Sequence, residues 1–257
     1  MTDENYIDTK WFKLVPEKNG YELLLPANSA DKKLRCASVI KPLYMWAASH
    51  LEPYKNDVDT WENLAKAAVT SSSNQATTFV WDACGRNEIL QSLTSLTNIS
   101  WLEQNSAAYW GTVQIDAYSV AASYAEMFRQ ANTDRSAQLI SGLMTMVEPT
   151  QTFGLKSVVQ AELNVEQDQV AVKCGWYLDD DEEKIRTHAV TVTKLPDSEI
   201  LGTVVLTALR VDQQIKDTYK TIYAQGDNIL SLHEKVAGQT LRNETKRMLQ
   251  LALQYKA

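Results

Sequence analysis

The sequence predicts an α+β fold: a five-stranded antiparallel sheet flanked by helices, with a helical subdomain inserted into it. The first observation is that both ends of the core carry short apolar segments with the alternation of β-strands. The second is that residues 59–148, between those ends, repeat their apolar positions about every 3.6 residues, as amphipathic helices do. Strands and helices grouped separately along a chain are typical of the α+β class.

The first two predicted strands form a hairpin. Residues 11–15 and 21–25 are the strands, and Pro16-Glu17-Lys18-Asn19-Gly20 separates them. The Asn-Gly pair favours the positive φ angles that a tight hairpin turn requires, so an antiparallel pairing follows.

The predicted helical region begins with an apolar helix at about Ser38 or Val39. Pro42 fixes that start, because proline lacks the N–H that a helix interior needs and is tolerated in a first turn. Gly85 is predicted to end the third helix as its C-cap. The later helices are predicted at residues 61–69, 75–84, 117–130 and 136–147, and a polar Ser71-Ser72-Ser73-Asn74 segment interrupts the first two of these.

Three more strands and a terminal helix complete the pattern. The strands are residues 169–178, 187–193 and 200–209, joined by short polar turns, which predicts an antiparallel meander. The tail ends in a helix over 241–255. We expect one domain, with residues 1–35 and 150–257 in the sheet part and 36–149 in the helical part.

The composition excludes several classes of function. Of the 257 residues 44% are hydrophobic and 22% charged, and the formal net charge is -7. Such an acidic chain without clustered lysines and arginines is a poor nucleic-acid binder. No run of eighteen apolar residues occurs, so no membrane span is expected, and the first residues lack the basic and apolar regions of a secretion signal.

The cysteines and histidines point to a reducing compartment and to no metal. Three cysteines, an odd number without a secretion signal, predict free thiols and a cytoplasmic protein. The histidines are scattered and lack metal-ligand spacing, so neither a metal nor another cofactor is expected. The six residues concerned are Cys36, Cys84, Cys174, His50, His188 and His233.

Ser38 and Lys41 are the first candidates for chemistry. At positions i and i+3 of a helix their side chains share a face. A serine hydroxyl becomes a useful nucleophile when a neighbouring base removes its proton, and a lysine whose pKa is lowered can be that base. The same four-residue pattern arises by chance in many helices, so alone it is only a hypothesis.

Two further segments supply partners of the right kind. In the loop between two helices Ser72 can relay a proton and Asn74 can bind a substrate carbonyl, although an ordinary polar loop has the same composition. Lys173 and Gly175 lie on one face of a predicted strand. The glycine lets a substrate backbone approach the strand closely and the lysine can attract a substrate carboxylate, although a lysine on an exposed sheet face has the same pattern.

The order S-x-x-K, S-x-N, K-x-G resembles the motif set of the serine β-lactamases and penicillin-binding proteins, S-x-x-K, S-D-N and K-T-G. The resemblance covers roughly residues 11–210. The run from Lys173 through Trp176, the acidic turn and the strand T-H-A-V-T-V-T also resemble small serine hydrolases related to class A β-lactamases. In those a Q-x-x-G segment is familiar, and here it would be Gln151-Thr152-Phe153-Gly154.

The resemblance implies a role for each matching residue. Ser38 would be the acylated nucleophile, Lys41 the general base and Ser72 the proton shuttle. Asn74 and Lys173 would bind substrate beside Gly175. The backbone N–H groups of Ser38 and Trp176 would form the oxyanion hole, which stabilises charge that develops during attack.

Departures from the motif set limit what the resemblance implies. Ser73 replaces the aspartate of the second motif, and Cys174 replaces the threonine hydroxyl that often helps to bind a carboxylate. The deacylating glutamate of class A enzymes is expected near residues 97–113, where Glu103 is the carboxylate available. Glu162, in a run Ala161-Glu162-Leu163-Asn164, imitates the family's loop at a position too late in the chain. Arg186 could bind a substrate carboxylate, and an exposed arginine at a strand end is the simpler interpretation.

The sequence therefore predicts a serine hydrolase or acyltransferase that forms an acyl-Ser38 intermediate on an amide or ester, in a small peptide or a secondary metabolite. Weak deacylation machinery favours acyl transfer to an amine or alcohol. Two alternatives stay open at this point: a true β-lactamase, D,D-peptidase-like or glutaminase-like amide hydrolase, and a catalytically silent binding protein with this fold.

Overall fold

The computed structural model describes residues 5–18, 20–28, 32–101, 109–179, 183–225 and 229–255. The strands come in two groups, one before and one after the main helical region, with one short strand inside it. They are β1 (Tyr6–Glu17), β2 (Gly20–Leu24), β3 (Leu34–Arg35), β4 (Gln114–Ile115), β5 (Ala171–Asp179), β6 (Lys184–Lys194) and β7 (Ile200–Arg210).

Five strands form one antiparallel sheet in the order β2-β1-β7-β6-β5, which confirms the predicted fold class. β1 starts at Tyr6 rather than Trp11, because its pairing with β7 extends from Tyr6 opposite Ala208 to Leu14 opposite Ile200. β3 and β4 form a separate two-stranded ladder. β5 is an edge strand of the large sheet.

The helices lie mostly between β3 and β5. They are α1 (Lys41–Ser49), α2 (Val58–Thr70), α3 (Asn74–Cys84), α4 (Arg86–Thr97), α5 (Ala117–Gln130), α6 (Arg135–Thr145), α7 (Leu155–Leu163), α8 (Gln213–Ala224), α9 (Leu230–His233) and α10 (Gln239–Gln254). A π-helical stretch, Glu234–Gly238, joins α9 to α10. Short 3₁₀ turns cover Ala37–Ile40, Tyr54–Asn56, Trp110–Thr112, Pro149–Gln151 and Gln167–Gln169.

The sheet separates two apolar clusters, because consecutive strand residues point to opposite faces. Phe12 and Val204 belong to the cluster under the helical region, where α5 packs on β1 and β7. Trp11 and Val205, their direct neighbours in sequence, belong to the cluster under α7 and α10. Cover on both faces explains why β6 and β7 are buried along nearly their whole length.

Side-chain caps set the starts of the middle helices. The Asp57, Asp116 and Asp134 carboxylates accept first-turn N–H groups of α2, α5 and α6, and Ser73 does the same for α3. The bounds of α5 and the end of α3 before Gly85 agree with the sequence prediction. The division of the domain into a sheet part and a helical part stays a prediction.

Four of the described helices, α4, α7, α8 and the short α9, were not predicted as separate helices. α7 occupies residues where a turn leading into a strand was expected, and α8 follows directly after β7. Asp212 caps α8 by accepting the Ile215 N–H at 2.8 Å. α8 is mostly polar and exposed, and the tail reaches the mouth of a cleft described below rather than only the back of the sheet. Within the described ranges, no helix is long and apolar enough to cross a membrane.

Candidate active site

Ser38 lies in a tight turn at the head of the most buried helix. The 3₁₀ turn Ala37–Ile40 leads into α1, and Ala37 has φ +47°, an uncommon conformation for a residue with a Cβ atom. The Tyr124 hydroxyl donates to the Val39 carbonyl at 2.7 Å from α5. The turn is therefore held in a strained geometry by its surroundings, as is common at functional sites.

Cys36, immediately before this turn, is a buried structural residue. Its side chain is fully buried and its Sγ donates to the Trp110 carbonyl at 3.2 Å. Its backbone N–H donates to the Val113 carbonyl at 2.9 Å. Burial raises the pKa of the Cys36 thiol far above its ordinary value, so a reactive thiolate is not expected there.

The Lys41 ammonium group meets the second motif. Its Nζ lies 2.6 Å from the Ser72 carbonyl oxygen, 2.8 Å from Asn74 Oδ1 and 3.3 Å from Ser72 Oγ. It also lies 4.7 Å from the centre of the Trp110 ring. The structure thus brings together Lys41, Ser72 and Asn74, which are separated by some thirty positions in the sequence.

Lys41 is suited to act as a base. Its side chain is fully buried, and burial together with the positive charge of Lys173 lowers the pKa of Lys41 to about 6. A neutral amine has two N–H donors and one lone pair. The Ser72 carbonyl and Asn74 Oδ1 take the two donors, which leaves the lone pair for a hydroxyl proton.

The middle residue of the second motif has a structural task. Ser73 caps α3, its Oγ accepting the Ala76 N–H at 3.1 Å, and its own N–H donates to the Ala67 carbonyl at 3.0 Å. Ser72 has φ +54°, which turns its carbonyl and hydroxyl toward Lys41. From the other side Gln151 Nε2 donates to the Ser71 carbonyl at 3.2 Å.

Lys173 differs from the expectation that it attracts a substrate carboxylate. Its side chain is fully buried, its Nζ donates to the Val69 carbonyl at 3.1 Å, and it is not among the described residues that line the cleft. Burial lowers the pKa of Lys173 to about 7. Its effect in this arrangement is on Lys41, whose protonated form it disfavours.

Gly175 brings β5 against the Ser38 turn. A Cβ atom at this position would lie 2.5 Å from the Val39 nitrogen and 2.6 Å from the Ser38 nitrogen, closer than any real contact. A side chain is therefore excluded here, and the backbone that comes close is that of the Ser38 turn, whereas the sequence predicted the approach of a substrate backbone. The contact places the Ser38 N–H beside the outer edge of β5.

The Trp176 N–H points off the same edge. Leu178 N–H donates to the Tyr219 hydroxyl at 3.3 Å, so this N–H is directed away from β6. In a regular antiparallel ladder residues i and i+2 direct their N–H groups to the same side. The pairing of β5 with β6 is regular from Ala171 to Asp179, so Trp176 N–H also faces outward, next to Ser38.

Three other predicted positions lie apart from this cluster or outside the described residues. Arg186 is buried rather than exposed, and both its Nε and Nη2 donate to Asp179 Oδ2, at 3.1 and 2.9 Å. Glu162 lies on α7, 2.6 Å from Lys246 of α10, which agrees with its interpretation as a false match. Glu103 lies outside the described residues.

A cleft of about 610 Å³ opens beside Ser38. Its described walls are rich in aromatic rings, contain the cations Arg35 and Lys220, and contain no aspartate or glutamate. The aromatic residues are Tyr109, Trp110, Trp176, Tyr177, Tyr219 and Tyr223. Tyr219, Lys220 and Tyr223 come from α8, which the sequence did not predict.

Arg35 also lines the cleft and was not predicted as a site residue, although it stands three residues before Ser38. The buried His188 fixes its backbone, with Nε2 2.9 Å from the Arg35 carbonyl, while His188 Nδ1 accepts the Thr207 N–H at 3.2 Å. Burial lowers the pKa of His188 to about 4, so the ring is neutral. In the described part of the chain, no group of three or more metal-binding side chains occurs.

Neither a protein-family model nor a curated relative matches the sequence. Solved structures of class A β-lactamases do match it. One from Burkholderia vietnamiensis has a TM-score of 0.58 at 14% identity, with 96% of this chain and 92% of that chain covered. A variant of the class A enzyme of the last common ancestor of Gram-negative bacteria has a TM-score of 0.57 at 13% identity, with 99% and 95% covered.

A third match, a β-lactamase from Chitinophaga pinensis, has a TM-score of 0.51 at 12% identity and covers 81% of this chain and 87% of that chain. Each match spans most of both molecules, and the five-stranded antiparallel sheet flanked by helices agrees with the fold predicted from the sequence. The chain therefore has the fold of the serine β-lactamases and penicillin-binding proteins.

Proposed function

We propose that this protein is a serine hydrolase or acyltransferase that acts on an amide or ester through an acyl-Ser38 intermediate. The observation that carries the proposal is the environment of Lys41, a buried amine with a pKa of about 6 whose two N–H donors are already occupied. A lysine in this state is a base at neutral pH, and Ser38 precedes it by one helical turn.

The chemistry follows from these contacts. Lys41 Nζ takes the Ser38 hydroxyl proton while Ser38 Oγ forms a bond to the carbonyl carbon. The oxygen that becomes negative lies between the N–H groups of Ser38 and Trp176. When the tetrahedral intermediate collapses, the bond to the leaving nitrogen or oxygen breaks. The leaving group receives a proton from Ser72 Oγ, which Lys41 replaces across the 3.3 Å contact.

Acyl transfer to an amine or alcohol is favoured over hydrolysis. Water needs a base to attack the acyl-enzyme, and the described walls of the cleft contain no carboxylate. The acceptor amine or alcohol can instead lose its proton to Lys41, which is neutral again once the leaving group has left. Glu103 is the candidate base if the enzyme hydrolyses its intermediate.

The state of the cysteines agrees with the cellular compartment expected for the enzyme. Cys36, Cys84 and Cys174 are all buried free thiols. Free thiols persist in reducing compartments, which supports a cytoplasmic enzyme acting on a small-molecule or peptide substrate. The β-lactamases of similar fold suggest penicillins as probes of the site, although Cys174 and the buried Lys173 argue against ordinary penicillin recognition.

Intact-protein mass spectrometry tests the proposal. Wild type, Ser38→Ala and the control Ser95→Ala, an exposed serine on α4, are treated briefly with a fluorophosphonate and with a penicillin. We expect one adduct on wild type and on Ser95→Ala and none on Ser38→Ala. Equal labelling of Ser38→Ala would show that Ser38 is not the nucleophile.

The lifetime of a penicillin or ester-derived adduct then separates the two reactions. A hydrolase loses the adduct in buffer alone. A transferase keeps it in buffer and loses it when an amine or alcohol acceptor is added, with the acylated acceptor as the product.

A further inference from the structure

The outer edge of β5 is the natural place for an extended substrate to bind. Trp176 and Leu178 direct their N–H groups off this edge, and an extended peptide could add to it as another strand. In this chain the second of those donors is already occupied, because the Leu178 N–H donates to the Tyr219 hydroxyl at 3.3 Å. α8 thus closes the edge two residues beyond the Ser38 site.

The Tyr219 ring is fixed on both sides. Its centre lies 6.3 Å from that of Tyr223 with an angle of 14° between the planes, and 5.8 Å from that of His233 in an edge-to-face contact. His233 is itself held by a 2.8 Å contact between its Nδ1 and Thr187 Oγ1. Tyr219 is therefore a rigid barrier at the strand edge rather than a side chain that swings aside.

The next ring along α8 is presented to the cleft. Tyr223 is 70% exposed, although it lines the cleft and stacks on Tyr219. Tyr109, which also lines the cleft, is 45% exposed and lies against Trp110, with ring centres 4.8 Å apart. Tyr223 and Tyr109 thus both present exposed ring surface to the cleft.

The charged residues of the cleft walls favour a ligand that carries a carboxylate. The Arg35 side chain lines the cleft, and no hydrogen bond or ion pair to its guanidinium occurs within the described part of the chain. No acidic side chain is found among the described residues of the walls. An arginine in such a setting binds a carboxylate well, because its planar fork matches the two oxygens.

We propose that α8 converts the strand-pairing edge of β5 into an aromatic subsite, so that the acyl donor is a small aromatic ester or amide carrying a carboxylate rather than an extended peptide. Tyr223 and Tyr109 hold the aromatic group, Arg35 holds the carboxylate, and Tyr219 excludes a longer chain. That the ligand is an acyl donor rests on the proposed acyl-Ser38 function, whereas the aromatic subsite is inferred from the residues of the cleft alone.

Binding of phenylacetate, measured by titration calorimetry with acetate as the comparison ligand, tests the subsite without any reaction. We expect phenylacetate to bind more tightly than acetate, and Tyr223→Ala to weaken it by about two- to tenfold, the value of one aromatic contact. Tyr255→Ala is the matched control, since Tyr255 is 50% exposed and packs against Trp11 at an angle of 53° between the ring planes, and neither residue lines the cleft. Equal binding by Tyr223→Ala and wild type would overturn the subsite.

Acylation of Ser38 tests the substrate class. Three thioglycolate thioesters share one leaving group and differ in the acyl part, which is acetyl, phenylacetyl or acetyl-trialanyl. We expect the phenylacetyl donor to react about two- to tenfold faster than the acetyl donor and the tripeptide donor to be the slowest. Tyr219→Ala, which frees the Leu178 N–H and removes the ring, should speed the tripeptide donor relative to the other two.

The results separate this inference from the function on which it rests. Acylation by the acetyl donor with no preference for phenylacetyl, or with the tripeptide fastest, overturns the inference and leaves acyl-enzyme chemistry in place. Failure of all three donors to acylate Ser38, together with phenylacetate binding that depends on Tyr223, overturns the function and supports the aromatic subsite.

Discussion

The rate of Ser38 acylation should follow the protonation state of Lys41. At pH 7 an amine with a pKa of about 6 is neutral in about nine of ten molecules. A lysine with the ordinary pKa of 10.5 is neutral in about one of three thousand at that pH. The buried site therefore raises the population of free base nearly three-thousandfold, which is the size of effect that a general base needs.

The expected pH profile has one limb. The second-order rate constant for phosphonylation by a fluorophosphonate should rise with pH, reach half its maximum near pH 6 and stay constant from about pH 7 to 9. Lys41→Arg should remove almost all of this rate, because a guanidinium stays protonated throughout the range. Lys66→Arg, an exchange at an exposed lysine of α2, is the matched control and should leave the profile unchanged.

Substitution of Lys173 gives a second test of the same pH profile. Replacing it by glutamine removes a buried positive charge that lowers the pKa of Lys41, so the midpoint should move to higher pH. The midpoint should stay well below 10.5, since burial is the larger cause of the low pKa. A wild-type midpoint above pH 9, or a full rate for Lys41→Arg, would refute the assignment of Lys41 as the base.

Further variants test the packing around the site. Gly175→Ala should lower the free energy of unfolding by about 1–3 kcal/mol because of the overlap it creates, and should slow acylation at least tenfold. Gly142→Ala is the control, since a Cβ there meets no atom within 4 Å, and it should be neutral or slightly stabilising. An unaffected Gly175→Ala enzyme would show that β5 does not position the nucleophile. Lys173→Met should raise the free energy of unfolding by about 3 kcal/mol below pH 7, and by less as the pH rises toward 10.5. Between pH 7 and 10.5 the Lys173 amine is protonated in the unfolded chain but neutral in the folded protein, so the cost of burying its charge disappears over this range. A pH-independent gain in urea unfolding would contradict this linkage. Arg186→Met should lower the free energy of unfolding by about 3–5 kcal/mol, because it leaves Asp179 buried and unpaired. The double variant with Asp179→Leu should recover most of this loss. A change in KM with unchanged stability would instead place Arg186 in substrate binding.

The fold and the cluster of candidate site residues could be predicted from the sequence because their signals are local. Alternating apolar residues marked the strands, Pro42 marked the first turn of the first helix, and Gly175 marked a crowded position, although the backbone there belongs to the Ser38 turn and not to a substrate. The spacing of Ser38 and Lys41 on one turn needed no knowledge of distant residues.

What the sequence did not predict depends on depth and on distant contacts. Strand alternation gives the face on which Lys173 lies but not whether solvent reaches it, and the close approach of α2 leaves its Nζ against the Val69 carbonyl. Arg186 is buried because Asp179, across the hairpin turn, compensates its charge. α8 carries a short apolar stripe of Ile215, Tyr219 and Ile222 on an otherwise polar helix; the stripe was a signal for the helix, but it does not tell which distant surface the helix packs against.

The contact between Leu178 and Tyr219 also bears on how this protein behaves in concentrated solution. An edge strand with unpaired N–H and C=O groups is a template on which another molecule can stack, and natural sheets cover or interrupt such edges. The opposite edge, β2, is only five residues long and carries Glu22, whereas the outer edge of the nine-residue β5 is covered by the Ser38 turn at Gly175 and by Tyr219 of α8 at Leu178. A Tyr219→Ala variant, which uncovers the Leu178 N–H and keeps α10 on the sheet, should therefore self-associate through β5 and form larger particles in light scattering as its concentration rises.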